Sequence, residues 1–193
     1  ARGVGTTGDA MSGVNLKVSV SGVRGIVGES LTPLLIADFA AAFGEYIGGG
    51  RVVVGRDTRP SGRMYEHAVV AGLLSVGCQP VLLGIVPTPT VQIMVDELKA
   101  NGGVVITASH NPAPWNALKF VGANSLFLDA AEAAELLDIY NQRDRAFVEE
   151  DDLRGTRHEH DAFAVHQRRL YALLDCARLR AARFKVAIDC CNG

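Results

Sequence analysis

The 193-residue sequence has little cysteine, few aromatic residues and almost no net charge: four cysteines, 6% Phe, Trp and Tyr, and a charge of −2. Cys78, Cys176, Cys190 and Cys191 are too few and too unevenly spaced for a disulfide framework, and none forms a CxxC metal pair. The adjacent Cys190 and Cys191 are poor disulfide partners and read as packing residues. A reducing compartment, the cytoplasm, is the expected location. A sequence pI near 6.2 leaves no electrostatic footprint for nucleic acid or an anionic membrane, so neither is an expected partner. A local anion site stays open. Long apolar runs are missing too. The most apolar stretch, Leu34 to Ile47, is interrupted by Asp38 and Glu45 and falls short of the roughly 18 apolar residues of a spanning helix. The opening ARGVGTTGDA has no apolar core of a secretory signal. Met11 reads as the natural start, and residues 1–16 as a tag or flexible extension.

What is present is a 48% apolar content and 21 glycines, which suit a compact core with many turns. At roughly 150 residues per domain, the length allows one domain and a piece of another. From Lys17 to Asn141, helix-period and strand-type segments alternate, the mark of a layered α/β domain. Thr32-Pro33 opens a helix with apolar positions 35, 36, 39, 43 and 47, stopped by Gly48-Gly49-Gly50. Arg51 to Gly55 is a buried strand, and Ser61 caps a second helix that ends at Gly77. Pro80 to Val86 is the next strand, Thr90 to Lys99 a third helix, and Gly103 to Thr107 a third strand. Such units imply a layered, mainly parallel mixed sheet flanked by helices. Leu118 to Val121 and Leu126 to Leu128 read as a hairpin or edge ribbon, and Asp129 caps a further helix. The expected organisation is a first domain over 17–142, a charged, solvated linker over 143–160, and the truncated beginning of a second, similar α/β domain over 161–193. In that last piece Phe184 to Ile188 has a buried-strand pattern.

Ligands of open α/β sheets bind at the carboxyl ends of the strands. Three such ends carry Gly55 to Gly62, Pro87 to Thr90, and Ala108-Ser109-His110-Asn111-Pro112. The last delivers a hydroxyl, an imidazole and an amide in one turn, which is either an ordinary Asn-Pro turn or a site. Ser109 lacks the Gly-x-Ser-x-Gly elbow of a serine esterase. A phosphoryl group on Ser109 is the alternative, and it would need cations nearby. Lys119 lies ten residues on, and Arg24 sits between glycines in Ser21-Gly22-Val23-Arg24-Gly25, read as a loop. Arg56, Asp57 and Arg59 read as a structural ion-pair network, and His110 as either a proton carrier or a hydrogen-bonded loop residue.

Taken together, Ser21-Gly-Val-Arg-Gly25, Gly55-Arg-Asp-Thr-Arg-Pro-Ser-Gly62, Pro87-Thr-Pro89, Thr107-Ala-Ser-His-Asn-Pro112 and Asn116-Ala-Leu-Lys119 resemble the α-D-phosphohexomutase family, in family order and at similar spacing. The terminal Asp189-Cys-Cys-Asn-Gly193 resembles the turn that opens that family's second domain. The resemblance implies that Ser109 is a phosphoserine exchanging its phosphoryl group with a hexose phosphate through a glucose or mannose 1,6-bisphosphate. It implies catalytic roles for Ser109, His110, Lys119 and Arg24, phosphate or substrate contacts from Arg24, Ser109, Asn111 and Lys119, and Mg²⁺ held by the Ser109 phosphate with aspartates of a later domain. The implied partners are a hexose phosphate and the remaining domains of the same enzyme, so that the piece alone would be inactive. Ala117 stands where the family commonly has glycine, and Trp115 where many members have a smaller residue or tyrosine. The family's acidic metal loop, sugar loop and C-terminal phosphate loop are absent from the sequence. The competing expectation is a non-catalytic module that binds a phosphosugar or a partner chain.

Overall fold

A computed structural model describes residues 16–19 and 22–190. Most of the extension expected before Lys17, Ser21, and the end of the expected phosphate-loop-like turn lie outside the described residues. The elements are β1 Lys17–Ser19, β2 Gly22–Ile26, α1 Pro33–Tyr46, β3 Gly50–Arg56, α2 Gly62–Ser75, β4 Cys78–Ile85, α3 Thr88–Glu97, β5 Gly102–Ile106, β6 Trp115–Gly122, α4 Ala130–Gln142, β7 Arg157–His158, α5 Ala162–Tyr171 and α6 Cys176–Ala181. The strands form one mixed sheet in the order β1-β2-β6-β5-β3-β4-β7. β3 runs parallel to β4 and β5, and β7 parallel to β4. β1, β2 and β6 join antiparallel.

Side chains alternate across a strand, and this divides the core into two layers. Val52, Val54, Val104, Ile106, Leu118 and Phe120 face Phe39, Phe43, Tyr65, Leu73 and Leu136 of α1, α2 and α4. Val53, Val105 and Val121 face Val91, Met94 and Val95 of α3, with Ala162 of α5. Each fully buried side chain of this size contributes about 1.5–3 kcal/mol. Tyr65 also donates its hydroxyl to the Leu31 carbonyl at 2.6 Å, and burial pushes its phenol up to about 12. That bond ties α2 to the turn that follows β2.

Helix starts follow local chemistry in two cases and tertiary contacts in two others. Thr32 accepts a bond from the Leu35 N–H at 3.3 Å, with Pro33 presetting the first turn of α1. Asp129 and Glu132 form a reciprocal capping box on α4. Ser61 makes no cap bond. Its hydroxyl instead accepts from the Asn116 side chain at 2.9 Å. α3 begins at Thr88, two residues before the expected start, with Pro87 at its N-cap and a proline in its first turn. Thr90, the expected first residue of this helix, is fully buried and bonded to His166 Nδ1 at 2.7 Å.

Four further expectations differ from the structure. The strand around Leu118 is an interior strand between β2 and β5, and residues 126–128 add only an isolated bridge from Phe127 to Val121. Arg24 sits on strand β2 instead of a loop, because Gly22 to Ile26 pair with both β1 and β6. The charged stretch after α4 is held against the sheet and helices. Arg145, only 3% exposed, bonds Asp38 at 2.9 Å and the carbonyls of Ile139 and Tyr140, while β7 adds to the sheet edge beside β4. Asp38 and Glu45 of α1 take up Arg143 and Arg145, tying down the start of a stretch whose other residues are mostly exposed. α5 then lies along α3, where Arg169 bonds Asp96 and Glu97 at 2.7 and 2.6 Å. The bond from Arg169 holds the Asp96 carboxyl below its usual range. Residues 184–190 form no strand. Phe184, Val186 and Ile188 are exposed, with no neighbouring strand to pair their backbone. Among the described residues no helix is long and apolar enough to cross a membrane.

The tightest helix contact is at Gly72 of α2, where a Cβ would overlap the Ala37 carbonyl oxygen of α1. Alanine gains about 1 kcal/mol over glycine in helix propensity, but overpacking a rigid contact costs about 1–3 kcal/mol. Gly72→Ala should therefore lower the urea midpoint despite the better helix former. An unchanged or raised midpoint would show that α1 and α2 separate freely.

Candidate active site

Parallel strands β3, β4 and β5 end together on one side of the sheet, and their following turns meet there. The turn after β5 carries Ser109. Its backbone is left-handed, with φ 57°, a conformation costly for a residue with a Cβ, and its side chain is exposed. The Ser109 N–H donates to Thr107 Oγ1 at 3.0 Å, and the Asn111 N–H to the Ala108 carbonyl at 3.1 Å. The serine hydroxyl lies 3.4 Å from His110 Nδ1. A hydroxyl thus projects from a turn whose two shoulders are bonded down. Strain held by the surroundings in this way concentrates at functional sites.

The register places the two candidate cations. Arg24 pairs with Ala117 in the β2–β6 ladder, and Lys119 lies two residues beyond Ala117 on the same face of β6. Arg24 and Lys119 are therefore diagonal neighbours on one sheet face, opposite the face that carries Val23 and Leu118 into the α1 core. β6 continues the ladder beyond β5, because the Thr107 N–H donates to the Ala117 carbonyl at 3.0 Å. Both cationic residues are half-buried. The Lys119 ammonium stands 5.5 Å from the Phe127 ring centre. The fold thus sets Ser109 and His110 side by side, and sets Arg24 and Lys119 together on the strand pair that adjoins β5. Asn111 presents its carbonyl inward, toward the base of the turn.

That base is built by residues read from sequence as a structural ion-pair network only. Arg59, in the turn after β3, reaches across to the Ser109 turn. Its guanidinium bonds the carbonyls of Ser109, Asn111, Pro112 and Trp115. Asp57 accepts both the Arg59 backbone N–H and its Nε. Asn116, fully buried, links β6 to Ser61 in the same β3–α2 turn. Arg56 pairs separately with Glu66 at 3.3 Å. The advance signals for Arg59 are its position in a turn at a strand end and its place in the Gly55 to Gly62 motif, and neither gives its role. Its target depends on β3 lying beside β5, which local sequence does not reveal.

A Mg²⁺ ion needs several oxygen ligands. Among the described residues no group of three or more His, Cys, Asp or Glu could hold a metal ion.

Comparison with known proteins agrees with the geometry. Residues 15–147 match the family model for the phosphoglucomutase/phosphomannomutase α/β/α domain I. The chain is 35% identical over 174 residues to a phosphoglucosamine/phosphogalactosamine mutase of Sulfurisphaera tokodaii, covering 89% of this chain and 38% of that protein. It is 36% identical over 177 residues to a phosphoglucomutase/phosphomannomutase of Thermococcus kodakarensis, covering 89% and 39%. The fold superposes on a Thermus thermophilus crystal structure assigned as a phosphomannomutase with a TM-score of 0.73 at 32% identity, covering 84% of this chain and 37% of that one. The chain spans well under half the length of these relatives.

Left-handed backbone is cheaper for glycine than for any residue with a Cβ, by about 1–2 kcal/mol, partly offset by the larger entropy of unfolded glycine. Ser109→Gly should therefore unfold with about 0.5–1 kcal/mol more free energy than Ser109→Ala, as measured by chemical denaturation. Equal stabilities would show that the turn is not strained at this residue.

Proposed function

The chain belongs to the phosphoglucomutase/phosphomannomutase family through its α/β/α domain I, and from that premise we propose that it supplies the phosphoserine of a phosphohexomutase. The reaction interconverts hexose 1-phosphate and hexose 6-phosphate, the hexose being glucose, mannose or glucosamine. The observation that supports this most is the exposed Ser109 hydroxyl on a bonded-down left-handed turn, on the strand next to the pair bearing Arg24 and Lys119.

In the proposed cycle the phosphoryl group of phospho-Ser109 passes to the free hydroxyl of a hexose monophosphate. The Ser109 Oγ–P bond breaks, a sugar O–P bond forms, and the sugar hydroxyl's proton passes through a nearby base to the departing Ser109 oxygen. The bisphosphate then turns over and returns its other phosphoryl group to Ser109, releasing the isomeric monophosphate. The transferred group carries negative charge throughout, so fixed cations in a site with little water lower the barrier. Arg24 and Lys119 fill that role, with Lys119 also moving the proton. His110, 3.4 Å from the hydroxyl, polarises Ser109. Asn111 completes the phosphate contacts. Mg²⁺ would be bound by the Ser109 phosphate together with carboxylates outside this chain, where it would neutralise the transferring charge. The sugar and the second phosphate would be gripped by the enzyme's remaining domains, so the 193-residue chain alone should turn over substrate very slowly.

The half-reaction at Ser109 is the direct test. Prolonged incubation with glucose 1,6-bisphosphate in Mg²⁺ buffer should add one phosphate per chain, read by intact mass, and Ser109→Ala should add none. Equal uptake by Ser109→Ala, or no uptake by the unmodified chain, would contradict the assignment.

A further inference from the structure

We infer that Arg59 is the positioning residue of the phosphate-accepting turn, gripping its backbone and making no bond to the phosphate itself. This rests on the reading of Ser109 as the phosphate acceptor. An arginine beside such a serine would ordinarily be taken as a phosphate ligand, because guanidinium and phosphate match geometrically. The donor inventory argues otherwise. A guanidinium has five N–H groups. Nε donates to Asp57 Oδ2 at 3.2 Å. Nη1 donates to the carbonyls of Pro112 and Trp115, both at 3.0 Å. Nη2 donates to the carbonyls of Ser109 at 3.0 Å and Asn111 at 2.6 Å. All five donors are engaged, and the side chain is only 13% exposed.

The four carbonyls span the whole turn from Ser109 to Trp115, so a single rigid fork sets the shape of seven residues. One of them is Ser109 in its strained conformation. Asp57 fixes the fork from behind, through both the Arg59 backbone N–H and Nε, and supplies the balancing charge. Arg59 spans the short distance between the turns after β3 and β5 because those strands are neighbours in the sheet. Lysine cannot replace it. An ammonium offers three donors from one point, where the turn requires two parallel pairs plus one aimed at Asp57.

Positioning and phosphate binding make different predictions. A displacement of about 1 Å at a reacting atom can cost about 100-fold in rate without altering ligand affinity. Arg59→Lys should slow phosphate uptake by Ser109 from glucose 1,6-bisphosphate about 100-fold, while inorganic phosphate binds within about 2-fold of its original affinity. Amide exchange gives a second readout that does not depend on phosphate transfer. The N–H groups of Asn111 and Trp115, each bonded within the turn, should lose protection in Arg59→Lys, while β3 and β5 amides keep theirs. Asp57→Asn keeps the side chain's shape and should shift both readouts the same way by a smaller factor.

Unchanged uptake with unchanged protection at Asn111 and Trp115 would overturn the proposal. So would a loss of phosphate affinity as large as the loss of rate, which would make Arg59 a ligand. Should the unmodified chain take up no phosphate, the acceptor role of Ser109 fails, and the clamp stands or falls on amide exchange alone. If Arg59→Lys loses the β3 and β5 protection as well, Asp57→Asn decides, with selective loss at the turn supporting the clamp and no loss overturning it.

Discussion

A single guanidinium joins two turns that are separated by half a hundred residues in sequence. Arg59 contributes every side-chain N–H it has, four of them to backbone carbonyls between Ser109 and Trp115. The bonds to Asn111 and Trp115 are part-buried and those to Ser109 and Pro112 lie at the surface; at about 0.5–1.5 kcal/mol each, the four together favour the turn in this shape. The rest of the site inherits its geometry. Thr107 holds the Ser109 N–H, and Asn116 holds β6 to the same β3–α2 turn through Ser61. The clamp lies at the carboxyl edge of the sheet, with the two-layered core behind it.

Strand order makes the clamp possible and also collects the charge. β5 lies beside β3, which brings the Ser109 turn within reach of Arg59, and beside β6, which brings it next to the β2–β6 pair. On that pair, register sets Arg24 and Lys119 diagonally on one face while their neighbours Val23 and Leu118 enter the core on the other. A slip of β2 by one residue against β6 would turn Arg24 toward the α1 core and Val23 away from it, parting Arg24 from the face of Lys119. The core face therefore enforces the arrangement of the polar face. Near-zero net charge is compatible with this, since the two cations sit together at one place on the sheet.

Elements whose causes are local were legible in the sequence. The Thr32-Pro33 start of α1, the Asp129 cap of α4 and the buried runs of β3, β4 and β5 each depend on a few adjacent residues. The TASHNP turn and its serine were legible for the same reason, and the ordered motifs carried the family. What depended on distant partners was not. Ser61 looks like a helix cap and serves Asn116. Arg24 looks like a loop residue because glycines flank it, yet pairing on both sides makes Gly22 to Ile26 a strand. The arginines after α4 look solvated until Asp38 and Glu45 of α1 are placed beside Arg145. Arg59 is the extreme case, because four of its partners are backbone carbonyls, which have no signature in sequence.

Contacts from Arg59 and Thr107 hold Ser109 in a left-handed turn. The most direct measurement is the backbone φ of Ser109 in solution, obtained from the NMR coupling between its amide and α protons and from its chemical shifts in the unphosphorylated chain. One population with positive φ, near the 57° of the structure, is expected. A backbone averaging through extended conformations, or settled at negative φ, would contradict it.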